Sequence, residues 1–167
     1  QWVPVGGMWV EADMNLPSGE SIARQIVHGQ RWFAEHFGVT CTEVWIPDVF
    51  GYPASLPQIF RAAGCDRFVT QKLSWNQQNR FPHSTFWWRG LDGSQVLTHF
   101  PPVDTYNAVV SSTEMVHSEG NFREHGWSDA DPADAGLAQS RQRARKQCER
   151  GQQQTEQRKR GHRLDHI

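Results

Sequence analysis

The sequence predicts an α/β fold in which helices alternate with the strands of a mainly parallel sheet. Two observations indicate this fold class. Segments with helical spacing alternate with short apolar segments along residues 18–71, and the connections between them are short, as in parallel α/β sheets. Two aromatic and β-branched segments then flank residues 90–93 (GLDG), which is the pattern of a β-hairpin. No internal repeat interrupts this order of elements.

The first predicted helix begins after Ser18 and ends at Gly38. Ser18 is a suitable N-cap, and Glu20 lies in the first turn, where the helix dipole favours a carboxylate. A glycine such as Gly38 commonly closes a helix. Four apolar side chains recur at spacings of four and seven residues, which is typical of one buried helix face. They are Ile22, Ile26, Phe33 and Phe37.

Short segments with clear boundaries predict the remaining elements. Pro47 ends an apolar segment that suits a buried strand, and Gly64 closes a short helical segment. Strands joined through a helix lie parallel, whereas strands joined by a tight turn pair antiparallel. The predicted strands are 43–46, 66–71, 85–89 and 95–100, and the further predicted helices are 56–63 and 112–125.

Charge and aromatic content divide the chain at about residue 130. Residues 1–130 carry 13 acidic and 8 basic side chains, a net charge of −5, whereas residues 131–167 carry 5 acidic and 9 basic side chains, a net charge of +4. All eight Trp, nine Phe and two Tyr lie at or before Trp127, so the last 40 residues have no aromatic side chain with which to build a core. We predict a folded domain over 1–130 and a disordered, Arg/Gln-rich tail over 131–167.

Composition excludes several classes of protein. The chain has 167 residues, 37% hydrophobic residues and a mean hydropathy of −0.68, which allows one soluble domain of ordinary size. No apolar run approaches the roughly 18 residues of a membrane span, and the first residues do not form a signal peptide pattern. The three cysteines are widely spaced and form neither a disulfide framework nor a zinc motif. We therefore expect a protein of the reducing cytoplasm with no membrane partner.

Side chains suited to chemistry follow the predicted strands. Asp48 follows the first strand, Lys72 the second, and Asp104 the second strand of the hairpin. Because ligands bind at the carboxyl ends of parallel strands, these side chains are expected at one edge of the sheet. Two carboxylates near aromatic rings suit a sugar site, where one acts as nucleophile and the other as acid/base. The residues alone leave open a turn-forming role for Asp48 and a loop-capping role for Asp104.

An ordered series of motifs identifies a family resemblance over about residues 1–129. The series resembles the catalytic domain of glycoside hydrolase family 38, the class II α-mannosidases, and looks most like the cytosolic and bacterial branch. Its motifs are 6–15 (GGMWVEADMN), 17–21 (PSGES), 45–52 (WIPDVFGY), 56–59 (LPQI), 68–76 (FVTQKLSWN), 79–82 (NRFP) and 100–107 (FPPVDTYN).

The resemblance implies a retaining, zinc-dependent α-mannosidase that acts on mannose-containing oligosaccharides. The fold implied is part of a seven-stranded β/α barrel-like catalytic domain. Asp48 matches the family's nucleophile, which is also a zinc ligand. Phe50, Lys72 and Tyr106 match positions near the substrate, and Asp104 is the candidate acid/base. As an acid at neutral pH, such a carboxyl group requires a raised pKa.

The sequence also departs from the family pattern. The family's His-any-Asp zinc motif is absent from residues 1–129, and a further His ligand comes from a more distant segment. Asp48 is therefore one of about four expected Zn²⁺ ligands, fewer than tight binding requires. We expect the chain to be a fragment of the catalytic domain with little or no turnover by itself. The abrupt change of composition after Asp129 suggests a shifted reading frame as the origin of the tail.

Two other functional classes remain open at this stage. A non-catalytic carbohydrate-binding module would use exposed Trp side chains, bind mannosides without zinc and tolerate Asp48→Asn. A nucleic-acid-binding protein would use the basic residues between Arg141 and Arg163. Because no aromatic side chain is interleaved with that basic run, we expect no nucleic-acid partner.

Overall fold

A computed structural model describes residues 3–76 and 81–126, which form a mixed α/β domain. The predicted boundary at residue 130 and the predicted tail over 131–167 lie outside the described residues. The helices and strands, in chain order, are α1 (Gly19–Phe37), β1 (Glu43–Trp45), α2 (Leu56–Ala62), β2 (Arg67–Val69), a 3₁₀ helix (Lys72–Trp75), β3 (Thr85–Arg89), β4 (Gln95–His99) and α3 (Ser112–His125).

The four strands form one mixed sheet in the order β1-β2-β4-β3. Strands β1 and β2 are parallel, with Val44 opposite Phe68, and β2 and β4 are parallel, with Phe68 opposite Thr98. Strand β3 pairs antiparallel with β4. The predicted parallel pairing and the predicted hairpin are both confirmed. The carboxyl ends of β1, β2 and β4 therefore meet at one edge of the sheet.

Local capping defines α1 as predicted. The Ser18 hydroxyl accepts a hydrogen bond from the Ser21 N–H, and Gly38 adopts a left-handed conformation with φ of 66° and donates its N–H to Ala34. The predicted apolar face is buried at Ile22 and Ile26, but Phe37 is 41% exposed. The 19-residue α1 is about 28 Å long, whereas three-residue β1 is about 10 Å long, so the helix extends beyond the strands that cover it.

Aromatic side chains dominate the core between the sheet and the helices. Tyr52, Phe60, Phe68 and Trp88 are buried together, with ring centroids 5.0 Å apart for Tyr52 and Phe68 and 5.6 Å apart for Phe68 and Trp88. Such offset and edge-on contacts add to the free energy of apolar burial. Trp88 is a core side chain and not part of an exposed sugar platform.

The parallel strands are shorter than predicted, but their hydrogen bonds continue past them. Ile46 N–H donates to Val69, and the N–H groups of Gln71 and Lys72 both donate to Pro47 O, at 3.2 and 2.9 Å. The extended backbone predicted over 43–46 and 66–71 thus stays paired where the regular ladder ends. Across the described ranges, none of the helices is both long and apolar enough to cross a membrane.

Candidate active site

The backbone pairing beyond β1 and β2 brings Asp48 and Lys72 together. Because Pro47 O accepts hydrogen bonds from the Gln71 and Lys72 N–H groups, the residue after Pro47 lies beside Lys72. The Lys72 ammonium contacts an oxygen of the Asp48 carboxylate directly. Their side chains are 17% and 44% exposed, respectively, so the pair sits at the surface with its carboxylate open to solvent.

The ion pair changes the acid–base properties of both groups. The hydrogen bond and the charge of Lys72 lower the pKa of the Asp48 carboxyl group, and a hydrogen bond with the Tyr106 hydroxyl acts in the same direction. Conversely, the hydrogen bond with Asp48 raises the pKa of Lys72. Asp48 is therefore a carboxylate at neutral pH, which is the form that a nucleophile or a cation ligand requires.

Three aromatic rings surround the Lys72 ammonium. Its nitrogen lies 4.6 Å from the ring centroids of both Phe50 and Trp75 and 5.8 Å from that of Tyr106. Phe50 is 80% exposed, and the rings of Trp75 and Tyr106 lie 5.4 Å apart. We call Phe50, Lys72, Trp75 and Tyr106 the Lys72 cluster. Cation–π attraction holds the ammonium among rings whose outer faces remain accessible.

Asp104 joins the 3₁₀ helix to the loop that follows β4. Its Oδ1 accepts hydrogen bonds from Gln71 Nε2 at 3.0 Å and from the Ser74 hydroxyl at 2.8 Å. Its backbone carbonyl accepts a hydrogen bond from the Trp75 indole N–H at 2.8 Å. Asp104 also has a φ of 60°, a left-handed conformation that no other non-glycine residue within 3–76 and 81–126 adopts.

Polar contacts, both buried and exposed, support the carboxyl ends of the parallel strands. The Tyr52 hydroxyl donates to Ile46 O at 2.8 Å and lies 2.6 Å from the Thr70 hydroxyl, and burial raises the pKa of Tyr52. Glu11 Oε1 accepts a hydrogen bond from the Asp48 N–H at 2.6 Å. Glu11 was not identified from the sequence, because 37 residues separate it from Asp48 and no periodicity links the two.

The structure gathers the sequence-predicted site residues at one edge of the sheet. Asp48, Phe50, Lys72 and Tyr106 are in mutual contact through the Lys72 ammonium. Asp104 reaches the same cluster through Trp75. His99 ends β4 nearby, but its Nδ1 lies 2.8 Å from the Thr85 hydroxyl and burial lowers its pKa. It is a neutral histidine with a structural partner.

The donor atoms of this rim do not amount to a complete zinc site. Asp48 is the predicted ligand, and one of its oxygens is paired with Lys72. Within residues 3–76 and 81–126, no three His, Cys, Asp or Glu side chains cluster closely enough to hold a metal ion. Tight zinc binding uses three or four protein donors. The described residues therefore supply a single candidate ligand for zinc.

An ionised carboxylate beside exposed aromatic rings suits a sugar ligand. The apolar face of a pyranose packs on an aromatic ring, while its hydroxyl groups require hydrogen-bonding partners. Phe50 and Tyr106 offer ring faces, and Asp48 and Lys72 offer an acceptor and a donor. An ionised carboxylate is also a group that can attack the anomeric carbon of a sugar.

Sequence comparisons place this site in a known family. Residues 1–162 match the family described as glycosyl hydrolases family 38, N-terminal domain. The chain is 58% identical over 124 residues to alpha-mannosidase G of Dictyostelium discoideum, covering 74% of this chain and 11% of that protein. It is 56% identical over 126 residues to human alpha-mannosidase 2C1, covering 75% of this chain and 12% of that protein. It thus spans only about a tenth of the length of these relatives.

The fold also resembles a solved structure, the crystal structure of an alpha-mannosidase from Enterococcus faecalis V583. The match has a TM-score of 0.55 at 16% sequence identity and covers 74% of this chain and 15% of that one. At this identity the likeness supports the fold alone, whereas the sequence matches extend through the segments around Asp48 and Lys72. The chain belongs to glycosyl hydrolases family 38, through that family's N-terminal domain.

Proposed function

We propose that the protein carrying this chain is a retaining α-mannosidase that releases terminal α-mannose from oligosaccharides. The observation that carries the proposal is the Asp48 carboxylate, held ionised by Lys72 at the carboxyl ends of the parallel strands in a family 38 domain. Because the chain spans about a tenth of its relatives' length, turnover is proposed for the protein that carries it. We expect the isolated chain to bind sugar weakly and to hydrolyse little or none.

In this proposal Asp48 is the nucleophile. One of its oxygens forms a bond to the anomeric carbon of mannose as the bond from that carbon to the leaving oxygen breaks. Asp104 is the proposed acid/base, which gives its proton to the leaving oxygen and then accepts one from the water that cleaves the mannosyl-enzyme ester. Lys72 keeps Asp48 ionised before the attack and neutralises its charge again when the ester is hydrolysed.

The Lys72 cluster is the proposed substrate-binding surface. Phe50 and Tyr106 present ring faces for the apolar side of the mannose ring, and the Lys72 ammonium donates to sugar hydroxyl groups. The partial exposure of these rings supports the proposal, because a sugar reaches them without unfolding any element. Trp75, half-buried beside Tyr106, extends the same surface.

Zinc remains a proposal that rests on the family resemblance. Asp48 would supply one ligand, and the remaining donors would come from residues outside 3–76 and 81–126. A zinc ion bound through Asp48 would share the carboxylate with the Lys72 ammonium, which contacts one of its two oxygens. When bound, zinc would hold hydroxyl groups of the mannose ring, a binding role distinct from the activation of water.

We also propose that the chain belongs to the cytosolic and bacterial branch of the family. Its identity to human alpha-mannosidase 2C1 is 56%, whereas its identity to alpha-mannosidase 2 of Drosophila melanogaster is 24% over 110 residues. A cytoplasmic location suits the two described cysteines, Cys41 and Cys65, because both are free thiols.

The test is the substitution Asp48→Asn in the protein that carries this chain, assayed with an aryl α-mannoside. Loss of the nucleophile should reduce kcat by at least about a thousandfold. A 2-fluoro-mannosyl fluoride, which forms a long-lived ester with a retaining nucleophile, should label the peptide that contains Asp48. The matched control is Asp92→Asn in the β3–β4 turn, which keeps the oxygen that accepts from Ser94 N–H and should keep full activity.

Retention of more than a few per cent of activity by the Asp48→Asn variant, or labelling of another peptide, would contradict the assignment. Sugar binding that is unchanged by Asp48→Asn in a protein with no hydrolytic activity would favour the carbohydrate-binding module. These two outcomes separate the enzyme from the binding protein in one series of measurements.

A further inference from the structure

Hydrogen bonds hold the loop that follows β4 at both of its ends. At its base, Asn121 of α3 donates its side-chain N–H to Pro102 O at 2.9 Å, and the Phe100 N–H donates to Ser84 O at 2.7 Å. At its far side, Asp104 holds the loop to the 3₁₀ helix. Tyr106 lies just beyond this second attachment and contacts the Lys72 ammonium. The position of the Tyr106 ring therefore depends on how Asp104 is held.

Asp104 makes three hydrogen bonds to the element that carries Lys72 and Trp75. Gln71 and Ser74 donate to its carboxylate, and the Trp75 indole donates to its backbone carbonyl. Gln71 is completely buried, so its side chain is a rigid donor. Asp104 thus contacts the Trp75 ring directly and also holds the loop that carries Tyr106 against the 3₁₀ helix.

The backbone conformation of Asp104 is a second, independent observation. Its φ of 60° is left-handed, and Asp adopts this conformation more readily than most residues but less readily than Gly. The Asp104 N–H donates a hydrogen bond to Pro101 O at 3.0 Å and closes this turn. A glycine would adopt this backbone without strain, but it would lack the carboxylate that accepts from Gln71 and Ser74.

We propose that Asp104 is a positioning residue, which orders the Trp75 and Tyr106 rings around Lys72 through hydrogen bonds from Gln71, Ser74 and Trp75. Its contribution to sugar binding rests on the proposed function, whereas its contribution to the order of the rings does not. The role is separate from proton transfer, because it requires an oxygen that accepts hydrogen bonds and does not require a group that ionises.

Two substitutions at residue 104 separate these roles. Asp104→Asn keeps an oxygen that accepts from Gln71 and Ser74 and tolerates the left-handed backbone, but it does not transfer protons. Asp104→Gly suits the backbone and removes both side-chain hydrogen bonds. Ser74→Ala removes one of the two donors and serves as a second variant that leaves residue 104 unchanged.

The measurement is NMR of the full chain labelled with ¹³C-lysine, recorded without sugar. The chain has three lysines, Lys72, Lys146 and Lys159, and a Lys72→Arg variant assigns the signal of interest. Rings within 6 Å shift the Lys72 methylene signals upfield. We expect Asp104→Gly to move these signals towards the position of a free lysine, Ser74→Ala to move them part of the way, and Asp104→Asn to leave them unchanged.

In the protein that carries this chain, Asp104→Gly should raise the dissociation constant of mannose about tenfold, since two side chains must be ordered on binding. Asp104→Asn should leave this dissociation constant unchanged, because an equilibrium constant for binding does not depend on the rate of either chemical step. The proposal is overturned if the Lys72 signals are the same in Asp104→Gly as in the wild type, or if the Asn and Gly variants move them equally. Neither result bears on the Asp48 assay, which tests the mannosidase function separately.

Discussion

Polar side chains lie at both ends of the parallel strands β1 and β2. Those at the amino end bond to neighbouring protein groups, whereas those at the carboxyl end face solvent. At the amino end, Gln30 of α1 donates to Cys41 O at 2.7 Å and accepts from the Cys41 N–H at 2.9 Å. Its amide also donates to Cys65 Sγ at 3.5 Å. We call Gln30, Cys41 and Cys65 the amino-end junction. At the carboxyl end, the Lys72 cluster and Asp48 face solvent.

The two thiols of the amino-end junction are buried and remain protonated. Burial raises the pKa of both thiols, that of Cys65 to about 11, so neither is a thiolate at neutral pH. A Cβ atom on Gly7, whose φ is 62°, would lie 2.9 Å from Cys41 Cβ. Polar groups that satisfy one another in a closed junction stabilise the fold, whereas ionised groups left open to solvent are available for ligands. Substitutions at the two ends should therefore differ in what they affect.

The largest effect on stability is expected from Gly29→Ala, close to the amino-end junction. A Cβ atom there would lie 2.3 Å from Gly7 O and 2.6 Å from Trp9 N, both of them backbone atoms. Since the backbone of residues 7–9 must move, we expect a loss of about 3 kcal/mol in the free energy of unfolding. Urea unfolding of the full chain measures it.

The matched control is Gly120→Ala in α3, where no heavy atom lies within 4 Å of the new Cβ. Alanine is the better helix former, so this variant should gain up to about 1 kcal/mol. Equal stability changes in the two variants would contradict the close packing of α1 on residues 7–9.

An intermediate effect is expected from Gln30→Leu. Leucine has a similar volume but leaves the Cys41 N–H without its acceptor and the Cys41 C=O with only the weak Cys65 thiol donor at 3.7 Å, which should cost about 2–3 kcal/mol. The thiols should also react faster with an aromatic disulfide reagent as the junction opens. The control is Gln58→Leu on the exposed side of α2, expected to change stability by less than about 0.5 kcal/mol. Unchanged thiol reactivity in Gln30→Leu would show that the junction does not protect the cysteines.

The smallest effect on stability, and a pH-dependent one, is expected from Asp48→Asn. The pKa of Asp48 is lowered in the folded state, so its contribution to stability is present above the ordinary aspartate pKa and is lost as the pH falls through the folded value. The Tm of Asp48→Asn should lie below that of the wild type at neutral pH, and the difference should vanish in acid, where both side chains are neutral. Thermal unfolding at the two pH values measures this.

An exposed acid on α1 provides the comparison for this pH dependence. Glu35→Gln should change Tm little at either pH. A difference between the wild type and Asp48→Asn that persists in acid would mean that the ion pair with Lys72 is not its cause. The change in stability should in any case be small beside the change in activity, because the pair lies at the open end of the sheet.

Elements whose boundaries depend on neighbouring residues could be predicted from the sequence. Ser18 and Gly38 cap α1 through hydrogen bonds within four residues, and the turn at 90–93 joins β3 and β4 in the predicted hairpin. The exposure of Phe37 was not predicted, because helical spacing shows which residues share a face but not how far the strands beneath it extend.

The sequence by itself determined the α/β order of elements and the family, and it placed Asp48, Lys72 and Asp104 after the first, second and fourth strands. The tertiary structure decided which of these groups meet: Lys72 pairs with Asp48, Glu11 supports the Asp48 N–H, and Gln71 and Ser74 bind Asp104. Caps and turns depend on groups a few residues apart, so local sequence specifies them. These hydrogen bonds and the ion pair join residues 24 to 37 positions apart, and only the pairing of strands and the packing of loops bring such residues within hydrogen-bond distance.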